Sequence, residues 1–389
     1  MDAMEHQPPS PEALLGRIEA LGDRIRAAAP AIDRERHVPE ELVDALRGAG
    51  LFRIMVPRAW GGWELDPPAI VELSATLARF DASTAWVGMI GATTHALAAF
   101  LPEEGMREIY EHGADFLMGG LATPPAGRAE TVEDGYRITG RFPFGSASRH
   151  CGWFVARCRI EEEGVPPTAD PRQDPNTILA FVPADEVTVH DTWHVVGLRG
   201  TGSHDYELAD TFVPAHRTFR LLTATPVQPG PLYRISRVGL LPAYLGAICV
   251  GIGRAAIHAF AAYAAAKRVA GVPLAERPLA RARLAEAEAI VASAHAYLLD
   301  VTRASWEKLT SGGELDERDR ARQLLSATHA AQTCARAVEL MYTSSGSAAL
   351  STASVLQRLL RDVHAAKQHA LVGFGQYETA GGMLLRATA

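Results

Sequence analysis

Apolar residues recur at helical spacing over most of the first hundred positions. Residues 13–29 predict one helix, with Pro30 placed to end it. Pro39-Glu40-Glu41 opens a second: proline suits a first turn, and the acids face the positive end of the helix dipole. Leu42, Leu46 and Ala49 form its apolar face, and Gly50 ends it. A loop rich in Gly and Pro covers 57–68. Helices are then predicted over 69–80 and 83–100, with the cap-type residues Asp81 and Ser83 between them, and another after Pro102.

The pattern changes near residue 115. From there to 220, short β-rich runs alternate with turn residues, which predicts a small antiparallel β domain. The acidic, Pro-containing stretch 161–176 reads as a solvated loop. After Pro231 the helical pattern returns in four long Ala-rich segments, 236–267, 279–309, 317–343 and 353–373, which predict a four-helix bundle. The expected fold is α+β and multidomain: an N-terminal helical domain (1–114), a central β domain (115–232) and a C-terminal four-helix bundle (233–389).

Residues 238–253 carry no charge and imitate a membrane span. The stretch is short for a bilayer, contains Pro242, and is flanked by Arg237 and Arg254, so a buried bundle helix is expected. The net charge of −7, without a basic cluster, argues against nucleic acid or an anionic membrane as partner. Cys151, Cys158, Cys249 and Cys334 form no CxxC pair and no zinc pattern, so free thiols and no metal are expected. The first residues, MDAMEHQPPSPE, lack the basic and apolar regions of a signal peptide, which points to the cytoplasm. Neither GxGxxG nor a Walker motif is present; Gly251-Ile252-Gly253 lies in a helical segment.

Several runs, taken in order, resemble one family. They are Ala49-Gly50-Leu51-Phe52-Arg53 with Gly61-Gly62, then Asp81-Ala82-Ser83-Thr84-Ala85-Trp86, then Gly140 to Ser146 (GRFPFGS). Next come WHVVGLRGTGSHD (193–205) with Phe212-Val213-Pro214, and Gln357 to Asp362 (QRLLRD) with His369. Together they resemble the acyl-CoA dehydrogenase superfamily over nearly the whole chain. They are most similar to its two-component flavin monooxygenases, among them the oxygenase component of p-hydroxyphenylacetate hydroxylase, dibenzothiophene monooxygenase, and hydroxylases of steroid phenols and polyketides.

The resemblance implies an oxygenase that takes reduced FMN or FADH2 from a separate reductase and uses O2 as cosubstrate. Oxygen would reach an aromatic, most simply phenolic, small molecule by way of a C4a-hydroperoxyflavin. It also implies a homotetramer. Ser146 matches a hydroxyl beside flavin N5, and His369 and His95 match active-site histidines. A histidine suits proton transfer because its ordinary pKa lies near working pH. Phe144, Trp193 and Trp86 match residues beside the flavin, and Lys267 a contact to its phosphate, with Arg268 as competitor. On a continuous helix Arg361, Ala365 and His369 would share a face, and Arg358 and Asp362 would form an i,i+4 pair. A true acyl-CoA dehydrogenase needs a carboxylate base. The two family positions hold Ala370 and Leu241 here, and no Asp or Glu occurs between 221 and 275. Glu378 is the residue left for that alternative. A second alternative is a non-catalytic helical homo-oligomer.

Overall fold

The computed structural model describes residues 8–120, 124–162, 164, 166, 168–235 and 237–387. The leader reading of the first seven residues and the helix start expected at Ser236 lie outside them.

Helix α1 (Pro11–Ala20) begins where the Ser10 hydroxyl accepts the Ala13 N–H, and α2 (Gly22–Glu35) follows after a break at Leu21. One helix ending at Pro30 was expected; instead Pro30 lies inside α2. Proline removes one backbone hydrogen bond, but Ile25, Ala29 and Ile32 continue the buried stripe across it. Helix α2 starts at Gly22, where a Cβ would stand 2.7 Å from the Phe80 ring. Helix α3 (Glu40–Ala49) ends at Gly50, whose φ of +87° suits glycine.

Asp66 caps α4 (Pro67–Phe80), and Asp81 caps α5 (Ala82–Thr93), accepting the Thr84 N–H at 2.8 Å and the Thr84 hydroxyl at 2.9 Å. The expected 83–100 helix is broken at Thr94. A short turn, α6 (His95–Ala98), follows, then α7 (Glu103–Tyr110).

Among the described residues eight strands form one sheet: β1 (Leu117–Gly120), β2 (Gly127–Val132), β3 (Gly135–Gly145), β4 (Cys151–Ile160), β5 (Thr177–Pro183), β6 (Thr188–His190), β7 (His204–Pro214) and β8 (Thr218–Arg220). Their order is β6-β7-β3-β2-β4-β5-β8, with β1 also on β4. The sheet is mixed rather than antiparallel, since β1 and β2 both run parallel to β4. The turn at 146–150 does not fold β4 back onto β3. It carries the chain over to the far side of β2, and that crossing makes the pairing parallel.

Helix α8 (Pro231–Arg234) leads to α9 (Arg237–Ala266). A small hairpin, β9 (Arg268–Val269) with β10 (Val272–Pro273), precedes α10 (Pro278–Thr310), α11 (Glu317–Ser344), α12 (Val355–Ala366) and α13 (Gln376–Arg386). Helix α9 is the centre of the bundle, packed on α4, α10, α11 and α12. Its stretch 240–266 is apolar enough to cross a bilayer by length and composition, yet 78% of its most apolar window is buried by the other helices. Glycine permits the closest approach: a Cβ on Gly251 would lie 2.3 Å from the Ala75 carbonyl of α4.

The last predicted helix, 353–373, stops at Ala366. A series of turns follows, with Val372 and Gly373 N–H both bonded to the His369 carbonyl, before α13 starts at Gln376. The His369 ring takes the Leu371 N–H at 3.2 Å, an amide that a continuing helix would direct to Lys367. His369 therefore sits in a turn, not on a helical face shared with Arg361 and Ala365.

Candidate active site

The run 193–205 is where the three parts of the chain meet. Asp362 on α12 accepts the Leu198 N–H at 2.7 Å. Arg361 donates to the Val196 carbonyl and grips Asp33 of α2 through two nitrogens, at 2.9 and 3.2 Å. Arg199 donates to the Asp33 carbonyl at 2.8 Å. Two glycines make the approach possible: a Cβ on Gly197 would lie 2.1 Å from the Arg361 carbonyl, and one on Gly200 would lie 2.0 Å from Ile32. Asp362 is not paired with Arg358 as the i,i+4 spacing suggested; its partner is the Leu198 amide. Burial, with Asp81 and Asp33 nearby, pushes its pKa up to about 7 despite the Arg358 charge.

This loop supports the turn after β3. Phe144 adopts φ +62°, a left-handed conformation unusual for an aromatic residue, and Ser146 follows it. The Ala147 N–H donates to the Thr201 carbonyl, and the Ser148 hydroxyl to Gly202. Ser146 joins a line of buried polar groups. Trp86 Nε1–H donates to Ser146 Oγ at 3.1 Å, Ser146 meets Ser203 Oγ at 2.8 Å, and Ser203 meets Thr201 Oγ1 at 2.7 Å. The Thr201 hydroxyl donates to the Leu198 carbonyl at 2.8 Å, which also accepts Trp193 Nε1–H at 3.1 Å.

The Trp86 and His369 ring centres lie 5.7 Å apart. Ser146, Trp86 and His369, widely separated in sequence, thus come together. His369 differs from expectation in its ionisation. Burial pulls its pKa down to about 4, so near neutral pH the ring is uncharged and a weak base. The Leu371 amide occupies Nδ1, which assigns the ring proton to Nε2. The ring therefore presents a hydrogen-bond donor.

Phe144 is 68% exposed, with its ring edge-on to Trp193 at 6.0 Å between centres. Exposed aromatic surface two residues before a hydroxyl that, among the described residues, meets only Trp86 and Ser203 suits an isoalloxazine ring, whose face is apolar and whose edge is polar. Lys267 is exposed at the end of α9, four residues after Tyr263. Tyr263, Ser345, Ser351 and Ser354 line a cavity of about 290 Å³ between α9 and the segment that precedes α12. Arg268 is committed to the Gly271 carbonyl of its own hairpin.

His95 and Glu378 have surroundings of their own. His95 is fully buried between α7 and the sheet, and its Nδ1 meets the Tyr110 hydroxyl while Nε2 meets the Phe116 carbonyl, each at 2.9 Å. Both ring nitrogens are therefore occupied by protein groups in this structure. Glu378 is exposed on α13, which packs on α11. A hydrated surface carboxylate is unsuited to abstracting a proton from carbon. The contacts of Thr201 and Ser203, and that of Asp362 with Leu198, are not visible in the sequence. Thr201 and Ser203 lie inside the run 193–205, but nothing in their spacing tells which hydroxyls face each other.

Two stretches of the chain match the acyl-CoA dehydrogenase family, its N-terminal domain over residues 18–111 and its C-terminal domain over residues 243–374. Indole-3-acetate monooxygenase of Pseudomonas putida is 33% identical, the match covering 96% of this chain and 93% of that protein. The oxygenase component of the FADH(2)-dependent resorcinol hydroxylase of Rhizobium sp. (strain MTP-10005) is 31% identical, over 95% and 94% of the two chains. Among solved structures, the HsaA monooxygenase from M. tuberculosis superposes with a TM-score of 0.88 at 26% identity, covering 98% of this chain and 97% of that one. With its helical, sheet and bundle regions meeting on Ser146, Trp86 and His369, this chain belongs to the acyl-CoA dehydrogenase family, in its branch of flavin-dependent monooxygenases.

Proposed function

We propose that the chain hydroxylates a phenolic or other electron-rich aromatic small molecule, with reduced FMN or FADH2 delivered by a separate reductase. The observation that carries this reading is the buried contact of Ser146 with Trp86, with His369 packed against the same indole. Two relatives point the same way in substrate class, since their names specify indole-3-acetate and resorcinol.

When bound, reduced flavin supplies the electrons that activate O2 for insertion of one oxygen atom. The chain's own residues do the rest. Ser146 offers a hydrogen-bond acceptor to the flavin edge at N5 and so keeps a proton there. Phe144 and Trp193 cover flavin surface and keep water from it. His369 does not remove the substrate proton, because a ring with a pKa of about 4 is too weak a base for a phenol. It donates Nε2–H to the substrate oxygen and orients it. A hydrogen bond to a charged oxygen is worth about 1.5–3 kcal/mol, so a phenolate is held better than a phenol. In this reading Lys267 meets the flavin phosphate end, as the resemblance implies; its exposure leaves it free to do so. A cytoplasmic homotetramer completes the reading, by analogy with the branch.

The test supplies the purified protein with a flavin reductase, a nicotinamide reductant, air and a panel of phenols and indoles. Conversion of at least one aromatic to a hydroxylated product is expected. Consumption of reductant with peroxide as the sole product across the panel would contradict it.

A further inference from the structure

The proton positions in the Ser146 network follow from its partners. Each hydroxyl has one proton and two lone pairs, and an indole N–H only donates. Thr201 meets the Leu198 carbonyl, which has no proton to give, so Thr201 donates. Its one proton spent, Thr201 meets Ser203 as acceptor, and Ser203 donates. Ser203 then has none left for Ser146, so Ser146 donates to Ser203. Trp86 fills one lone pair of Ser146. One lone pair remains on Ser146 Oγ, and no proton. The backbone amides of the turn are also spent: Ser146 N–H on the Phe144 carbonyl, Ala147 N–H on Thr201, and Ser148 N–H on Gly145.

We propose that Thr201 and Ser203 set the redox selectivity of the site. By holding Ser146 as an acceptor, they make the turn bind flavin whose N5 carries a proton and reject oxidised flavin, whose N5 presents only a lone pair. The inference rests on the reading that Ser146 faces flavin N5. It goes further by giving these two residues, neither of which need touch the flavin, a positioning role. The arrangement suits an oxygenase fed by a separate reductase. Reduced flavin is captured, and spent flavin meets lone pair against lone pair and leaves.

The experiment measures Kd for reduced and oxidised FMN and FAD, anaerobically, by flavin absorbance and fluorescence, without turnover. The wild-type protein is expected to bind reduced flavin at least about tenfold more tightly, the scale of one matched against one mismatched hydrogen bond. In Ser203→Ala the Ser146 proton loses its acceptor and turns to N5, so the oxidised Kd should tighten by about fivefold. Thr201→Val, which conserves volume, frees the Ser203 proton to reach Ser146 and should act in the same direction. It also decides the matter if Ser203→Ala fails to fold. Ser146→Ala should lower selectivity by the other route, weakening the reduced form without tightening the oxidised one.

Unchanged selectivity in Ser203→Ala and Thr201→Val, with selectivity lost in Ser146→Ala, would overturn the role of the two residues and leave the oxygenase reading intact. Equal wild-type affinity for both redox forms would do the same. Failure to bind either flavin would overturn both.

Discussion

Asp362→Asn isolates the energetic consequence of burying a carboxylate beneath the site. The carboxyl group is 2% exposed and accepts the Leu198 N–H at 2.7 Å. Asp81 and Asp33 add negative charge nearby, Arg358 opposes them, and the net result is a pKa of about 7 against an ordinary 3.8. A folded pKa above the unfolded one means that the folded state binds the extra proton. The associated stability is fully present below about pH 4 and is lost as pH rises through about 7. Three pKa units at about 1.4 kcal/mol each make this loss roughly 4 kcal/mol. Asparagine keeps the shape and the acceptor oxygen for Leu198 but cannot ionise. Urea-unfolding midpoints of the two proteins, measured from pH 5 to pH 8.5, should therefore diverge, with Asp362→Asn increasingly the more stable at alkaline pH. Parallel pH profiles, or a variant less stable than wild type at pH 8.5, would refute the reasoning.

Other consequences are as specific. His369→Ala should lower turnover of a phenolic substrate by about 10- to 150-fold, the equivalent of one charge-assisted hydrogen bond, and His369→Gln should recover part of it. Since burial holds the His369 pKa near 4, the pH–rate profile should show no His369 inflection between pH 6 and 8; one abolished in His369→Gln would contradict this. Phe144→Gly should raise stability by about 1 kcal/mol by relieving the strain of φ +62°, yet weaken reduced-flavin binding; thermal midpoint and Kd should move in opposite senses. His95→Ala leaves the Tyr110 hydroxyl and the Phe116 carbonyl without their partner. It should cost about 1–3 kcal/mol of stability without changing flavin affinity, and a selective loss of flavin affinity would place His95 in the site.

Much of the plan was legible in the chain. The change from period-3.6 to short β runs and back marks where helices give way to strands and return. The caps Asp66 and Asp81 and the stop at Gly50 act through neighbours in sequence, which is why a local pattern reveals them. Of the site, Ser146, Trp86 and His369 were accessible through resemblance, and the structure brings them into one place. The rest depended on partners distant in sequence. Pro30 is tolerated because Ile25 and Ile32 keep a tertiary partner for the helix around it. Beyond the end of α12 the His369 ring captures a backbone amide, a contact that no local pattern announces. Nothing local tells that Tyr110 and Phe116 occupy both nitrogens of His95. Thr201 and Ser203 read as ordinary turn residues. Their polarity exists only once Leu198 and Ser146 flank them.

The most direct measurement uses isotopically labelled dioxygen. The protein is loaded anaerobically with reduced flavin, an aromatic substrate found in the panel is added, and labelled O2 is admitted. One labelled oxygen atom is expected in the product, with the yellow absorbance of oxidised flavin appearing later than it does for free reduced flavin. Product free of label, together with FAD that co-purifies in its oxidised form and is bleached by an acyl-CoA, would contradict it and establish dehydrogenation instead.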